Sequence, residues 1–566
     1  MAQAKSGSFW GTIEESRGGK RILAFRGIPY ARPPTAELRF RPPVPAGRHD
    51  GLKEVKVNGH VCPQHMYYKP DIWIGAEDCL WLSVFTRDLV LKKKRPVLVW
   101  FHGGNFVRGS AADYEPDYLL DEEMVLVTVN YRLGLFGFMS TEDEHAPGNY
   151  GMLDQVAALQ WVRKNIESFS GDPTRITIAG QQAGGASVHY HMLSPLTRGL
   201  FHQAISMSGS ALCWWASIKR PLEKAQKMAK LLECKEAIAK DGSTDNKLLL
   251  QCFRGKSMEQ LMNTHPNFYE WKHLEQGGEP ITAFSPRVDP ESRMPYMPSE
   301  PIDLMTSGGF QHIPWIAGLT DDEGAFKGAT LIADMKGVRE FEEQYEKLGP
   351  LMFGLHDGMS EAPKVNAQRV KDYYWGAAAI DKDNVQKVVN AISDSSYSHP
   401  IDTASKIHAM KSQSPVYVYH FGYRGQFSLT QLDVDNYPPK IVPKDVKFGV
   451  GNGDDLIYLF PLLAGIFRPL PKEDLIFSQR FVELLGSFVR TGTPSIEMGE
   501  DAGTFVWNRV LSTNATHLDI GNEMRMDDGL PNHERMNFWQ KMPVYWNANR
   551  AGYKPAPPIS WKNDEL

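Results

Sequence analysis

The chain has 566 residues, a formal net charge of −5, and an ordinary mixture of 42% hydrophobic and 23% charged residues. That length buries a large core, and the mildly acidic balance excludes a nucleic-acid binder, which needs a strongly basic face. No run approaches the roughly eighteen apolar residues of a membrane helix, and five cysteines are too few for a fold built on disulfides.

Met1 to Phe9 is polar and small, without the apolar centre of a signal peptide. The final Asn563-Asp564-Glu565-Leu566 resembles an ER-retrieval tetrapeptide with a weak first position. The chain as written is therefore read as cytoplasmic, with the ER lumen or secretion as the alternative if a signal peptide is removed. In an oxidising compartment Cys62 and Cys79 would close a short loop, and Asn514-Ala515-Thr516 is the only glycosylation sequon. No Cys/His spacing reads as a metal site: His189 and His191 lie two apart on an expected helix and point to different faces. Neither metal nor cofactor is expected.

In chain order, Gly11-Thr12-Ile13-Glu14 and Ile22-Leu23-Ala24-Phe25 read as a hairpin around the turn-rich Ser16-Arg17-Gly18-Gly19-Lys20. Glu77 to Phe85 alternates as a strand. Pro96 to Phe101 is a continuous apolar run of the kind buried on both faces of a parallel sheet, and it ends in the glycine-rich His102-Gly103-Gly104-Asn105. Met124 to Tyr131 is a second buried strand, and Asp154 to Ile166 repeats its apolar residues at helical spacing.

The β-branched run Ile176-Thr177-Ile178-Ala179 then stops at Gly180-Gln181-Gln182-Ala183-Gly184, with a small-residue helix start behind it. Strand, tight turn and helix are the setting of a nucleophile elbow, Gly-x-Ser-x-Gly, but the middle residue here is Gln182. Residues 220–311 and about 330–410 read as insertions covering the sheet rather than separate domains, so 1–566 is taken as one domain. Within them a strand returns at Ile313 to Gly318, and Val338 to Leu348 reads as a helix. Pro415 to Phe421 is again sheet-like, and Glu473 to Thr491 is a long amphipathic helix. The order is that of a doubly wound α/β fold.

Several separate motifs now converge: Phe25-Arg26-Gly27-Ile28-Pro29-Tyr30-Ala31, Leu38-Arg39-Phe40, Glu77-Asp78-Cys79-Leu80, His102-Gly103-Gly104, Asn130-Tyr131-Arg132, Asp154-Gln155, Ser206-Met207-Ser208-Gly209-Ser210 and Arg490-Thr491-Gly492-Thr493-Pro494. Together they resemble the type-B carboxylesterases of the cholinesterase family, over about Gly11 to Trp539. The Gly-Gln-x-Ala-Gly elbow looks closest to insect carboxylesterases, including juvenile hormone esterase-like ones. The resemblance implies an α/β-hydrolase fold, a mostly parallel sheet flanked by helices with large helical insertions.

Carried over residue by residue, the family's catalytic acid falls on Glu323, its serine on Gln182 and its histidine on Asn452. The oxyanion hole falls on backbone N–H groups of Gly104, Asn105 and Ala183. An amide has neither an acidic hydroxyl nor a basic ring nitrogen, so the expected protein is a catalytically silent esterase frame. Its gorge would bind or sequester a small hydrophobic ester or lipid-like ligand, or its surface a protein partner. An ester hydrolase with weak or unconventional machinery is the alternative, with Ser187, Ser208 and Ser210 as substitute nucleophiles. His102 reads as a structural histidine of its loop.

Overall fold

The computed structural model describes residues 1–544 except 67–68, 91, 269–270, 272–283, 334, 357–359, 361, 437–447, 463–468, 498–503 and 512–514. The sequon asparagine Asn514 and the C-terminal tetrapeptide lie outside the described residues.

An 11-stranded sheet runs through the molecule. Its strands in chain order are β1 (Thr12–Glu15), β2 (Arg21–Pro29), β3 (Trp81–Thr86), β4 (Arg95–Phe101), β5 (Val125–Val129), β6 (Gly171–Gln181), β7 (Gln203–Met207), β8 (Trp315–Thr320), β9 (Val416–Phe421), β10 (Thr516–Ile520) and β11 (Met524–Asp528). Across the sheet they lie in the order β11-β10-β9-β8-β7-β6-β4-β5-β3-β2-β1. From β5 to β10 every neighbouring pair is parallel, and the antiparallel strands are confined to the two margins. The composition follows this layout. β4 is Arg-Pro-Val-Leu-Val-Trp-Phe, buried along its whole length because helices cover both faces of a parallel sheet.

Two helices flank the centre, α1 (Tyr150–Asn165) and α2 (Ala183–Leu193), and two more come late, α3 (His399–Lys411) and α4 (Lys472–Thr491). The motifs that run through the first half do structural work. Asp154 on α1 takes both Nε and Nη2 of Arg132, each at 2.7 Å, and also the Arg132 backbone N–H. Both side chains are buried, so removing either alone would leave an uncompensated charge at a cost of roughly 3–5 kcal/mol. Arg39 and Glu77 make a second forked pair, and the Tyr30 hydroxyl donates to the Asn130 carbonyl.

The stretch 220–311 contributes short helices at Pro221–Leu231, Asn246–Gly255, Met258–Met262 and Pro301–Thr306. Their buried Met228, Leu249 and Phe253 belong to the same hydrophobic cluster as Val99 and Ile178 of the sheet. Val338 to Leu348 is not one helix: a helix Met335–Glu343 ends at Gln344 and another, Tyr345–Met352, begins. Phe341 stacks on Trp271, while Tyr345 meets both Phe341 and Trp375 edge-to-face.

Cys62 and Cys79 are joined, their sulfurs 2.06 Å apart. A second disulfide, Cys234–Cys252, was not anticipated from the spacing; it ties the helix Asn246–Gly255 to the turn after Pro221–Leu231. Cys213 is a buried free thiol. No helix of the described residues is long and apolar enough to cross a membrane.

Candidate active site

The elbow sits where β6, the middle strand, turns into α2. Gln182 takes φ 54° and ψ −112°, a backbone conformation that costs a non-glycine residue on the order of 1–3 kcal/mol. Its neighbours hold it there. Its N–H donates to the Met207 carbonyl of β7 at 2.8 Å, and its carbonyl accepts from Ala186 N–H at 2.8 Å. The glycines are required by close approach: a Cβ on Gly184 would lie 2.0 Å from the Phe101 carbonyl oxygen, and one on Gly180 2.6 Å from the same atom. Gly103 likewise leaves room for the Gln181 carbonyl, which a Cβ would meet at 2.8 Å.

The Gln182 side chain folds back into the loop beyond β4. Its Oε1 accepts three backbone N–H groups, from Gly104 at 3.0 Å, Asn105 at 2.8 Å and Ala183 at 2.8 Å. These are the three donors expected to face an oxyanion. Its Nε2 donates to Asn105 Oδ1, so the carboxamide is held at both ends. Gln182 is 6% exposed. Asn105 and Phe106 also have positive φ, 54° and 61°, which turns the loop N–H groups inward. A neutral carbonyl oxygen thus occupies the hole, in the field of the α2 N-terminus.

Glu323 lies just beyond β8. Its Oε1 accepts Thr320 N–H at 2.8 Å and its Oε2 accepts Asn452 Nδ2 at 2.5 Å. Burial pushes its carboxyl up from 4.5 to about 7. Asn452 Oδ1 in turn accepts from Gln181 Nε2 at 2.7 Å. A parallel bridge between Asp322 and Gly451 holds the two loops side by side. Gln181, Asn452 and Glu323 therefore form a line of hydrogen bonds ending on the carboxyl. Asn452 donates to the acid as an imidazole would, but its acceptor end meets Gln181 instead of Gln182, and neither end changes its proton.

Sequence reasoning passed over two residues here, Gln181 and Tyr397, and named Ser208 only as a substitute nucleophile. Gln181 was visible as the last residue of β6 and could have been found from strand register. Ser208, also strained at φ 50°, places its hydroxyl beside the Glu323 carboxyl. Tyr397 comes from a π-helical turn, Asp394–Ser398, of the kind that marks functional positions. Its buried phenol has Glu323, Cys213 and Gln182 as electrostatic neighbours. Ser396 in that turn accepts from Trp214 Nε1 at 3.1 Å and, through its carbonyl, from Trp215 Nε1 at 3.0 Å. A cavity of about 550 Å³ lies against Trp214 and Trp215.

The remaining candidates are occupied elsewhere. His102 is buried, stacks on Tyr131 with ring centroids 4.4 Å apart, and is pushed down to about 4 by burial. Ser187 accepts from Gln155 Nε2 at 3.2 Å. Ser210 meets His189 Nδ1 at 3.0 Å, and the other nitrogen of that ring meets His408. His191 instead reaches Gln155 and Tyr296, so the two histidines do face apart. Among the described residues no group of three or more His, Cys, Asp or Glu side chains is placed to hold a metal ion.

A parallel-centred sheet with an elbow on its middle strand, a glycine-rich loop at the next strand and an acid after β8 defines an α/β-hydrolase. The chain belongs to the carboxylesterase family, whose model matches residues 1–539. It is 35% identical to juvenile hormone esterase of Tribolium castaneum over 511 residues, 87% of this chain and 84% of that one. Venom carboxylesterase-6 of Apis mellifera is 29% identical over 558 residues, covering 96% and 94%. Esterase FE4 of Myzus persicae is 32% identical over 508 residues, covering 88% and 85%.

Proposed function

We propose that this carboxylesterase-family protein does not cleave esters by the serine route and acts instead as a binder of hydrophobic esters. In this reading Gln182 stands at the nucleophile position, Asn452 at the base position and Glu323 at the acid position. Gly104, Asn105 and Ala183 form the oxyanion hole. The observation that carries it is the Gln182 carboxamide itself, which offers no nucleophile and takes all three hole donors with its own oxygen. A tetrahedral intermediate would have to expel that oxygen before being stabilised at all.

The Ser210–His189 pair offers no substitute. The Ser210–His189 contact is fully buried, and burial drives the imidazole down to about 3, too weak a base to activate a hydroxyl. The cavity of about 550 Å³ against Trp214 and Trp215 has the size of a small-molecule site; Lys219, Arg220, Glu223 and Lys224 share its lining, and Gln182, Glu323 and Asn452 do not. The related juvenile hormone esterase, by its name, acts on an ester, and the same ligand class fits here. Two disulfides favour the ER lumen or secretion over the cytoplasm.

The test is a fluorophosphonate probe and short aryl esters, applied to the wild-type protein and to a Gln182→Ser, Asn452→His double variant. The wild-type chain should stay unlabelled, with turnover on the order of a million-fold below that of a serine esterase. Labelling and turnover should appear in the double variant. Wild-type turnover equal to the double variant's would overturn the silent reading. Thermal shifts with hydrophobic esters then test binding, and no shift across a broad panel would favour a protein partner.

A further inference from the structure

A cavity of about 860 Å³ lies away from the elbow, between the Ala36–Pro42 turn, the start of α1 and the helix Asn246–Gly255. Its wall is apolar, with Phe40, Leu153 and Leu250 on three different elements. Its rim is cationic: Arg41, Lys247, Arg254 and Arg293 stand against only Glu37 and Glu144. This sign is opposite to that of the whole chain, whose net charge is −5. Of the two acids, Glu144 is already engaged by Arg293 at 3.5 Å.

Arg254 and Arg41 make the arrangement more pointed. Arg254 is fixed by donating Nε to the Arg39 carbonyl at 2.9 Å, so it cannot swing into solvent without losing that bond. Burial, and after it the like charge of Arg41, pulls its pKa below the usual guanidinium value, with Glu37 offsetting only in part. Arg254 is half-buried and Arg41 exposed at the mouth, so two like charges face one cleft and an anion between them would relieve their repulsion. Tyr150 completes the wall; its buried hydroxyl lies against the Gly148 backbone, and Arg254 is one of the charges that act on it.

We propose that this cleft is a second binding site, for an amphipathic organic anion: a single carboxylate-type head on Arg41 and Arg254 with an alkyl or acyl body along Phe40, Leu153 and Leu250. The planar guanidinium fork matches a carboxylate, and the apolar wall accepts a chain that a bare anion would not need. The inference does not depend on whether Gln182 silences the elbow.

Decanoate, decanol and decyltrimethylammonium distinguish it by calorimetry. Decanoate should bind one to one, more weakly as salt rises, and decanol and the cationic amphipath should bind at least about tenfold less tightly, the worth of one charge-assisted contact. Arg41→Glu, at an exposed side chain, should cost decanoate a similar factor and leave the melting temperature in place. Met294→Ser, at a rim residue 70% exposed, should weaken decanoate and decanol alike. Equal affinity for decanoate and decanol, or decanoate binding indifferent to Arg41→Glu, would overturn the proposal.

Discussion

Glu323 shows how far a single residue of the site has been retuned by its surroundings. Buried beside a neutral asparagine, the carboxyl is raised from 4.5 in the unfolded chain to about 7 in the fold. The folded protein therefore holds this proton more tightly than the unfolded chain does. The stability it contributes is complete below pH 4.5 and is lost as the pH climbs through 7. Glu323→Gln stays neutral throughout, so its stability relative to the wild-type chain should rise across that window, by up to about 3 kcal/mol at pH 8. Urea titrations of both proteins at several pH values measure this. A difference independent of pH would show that Asn452 and Thr320 hold the carboxylate well enough to keep it ionised. Asp455, raised to about 7 by burial, titrates in the same direction, so the comparison between the two proteins matters more than either curve alone.

At the level of elements, much of the architecture was readable because it rests on short-range patterns. The apolar run Pro96 to Phe101 became β4, and the run before Gly180 became the end of β6. The amphipathic Glu473 to Thr491 became α4, stopped by Gly492 at φ 78°. Glycine and β-branched spacing carry such information locally. The Gln344 break could not be read, because neither glycine nor proline stands at it. The site divides the same way. The positions of Gln182, Glu323 and Asn452 came from motifs, whereas the return of the Gln182 carboxamide into the loop came from a side-chain conformation that sequence does not encode locally. The Gln181–Asn452 bond needed β6 and the distant Asn452 loop in one frame. Tyr397 needed a π-helical turn that no periodicity announces.

For the whole molecule, the two covalent links matter most. Cys62–Cys79 fastens the segment before β3, and Cys234–Cys252 fastens the helical insertion, each closing a loop of under twenty residues. Opening either one, by Cys→Ser pairs at 62/79 or 234/252, should cost roughly 2–5 kcal/mol of stability without moving the sheet. Chemical denaturation with and without a reductant checks this, and an unchanged midpoint would mean that neither link constrains the unfolded chain. The same links bear on where the chain folds well: expression in an oxidising compartment should give more folded protein than in a reducing one.

The amide oxygen of Gln182 has a consequence in isotope exchange. Gly104, Asn105 and Ala183 lie on two separate segments, yet their N–H groups share one acceptor. They can meet deuterium only when that one side chain swings out, so all three should exchange at a common rate, set by a single local opening. With Gln182→Ser they should uncouple, each taking the rate of its own loop or helix end.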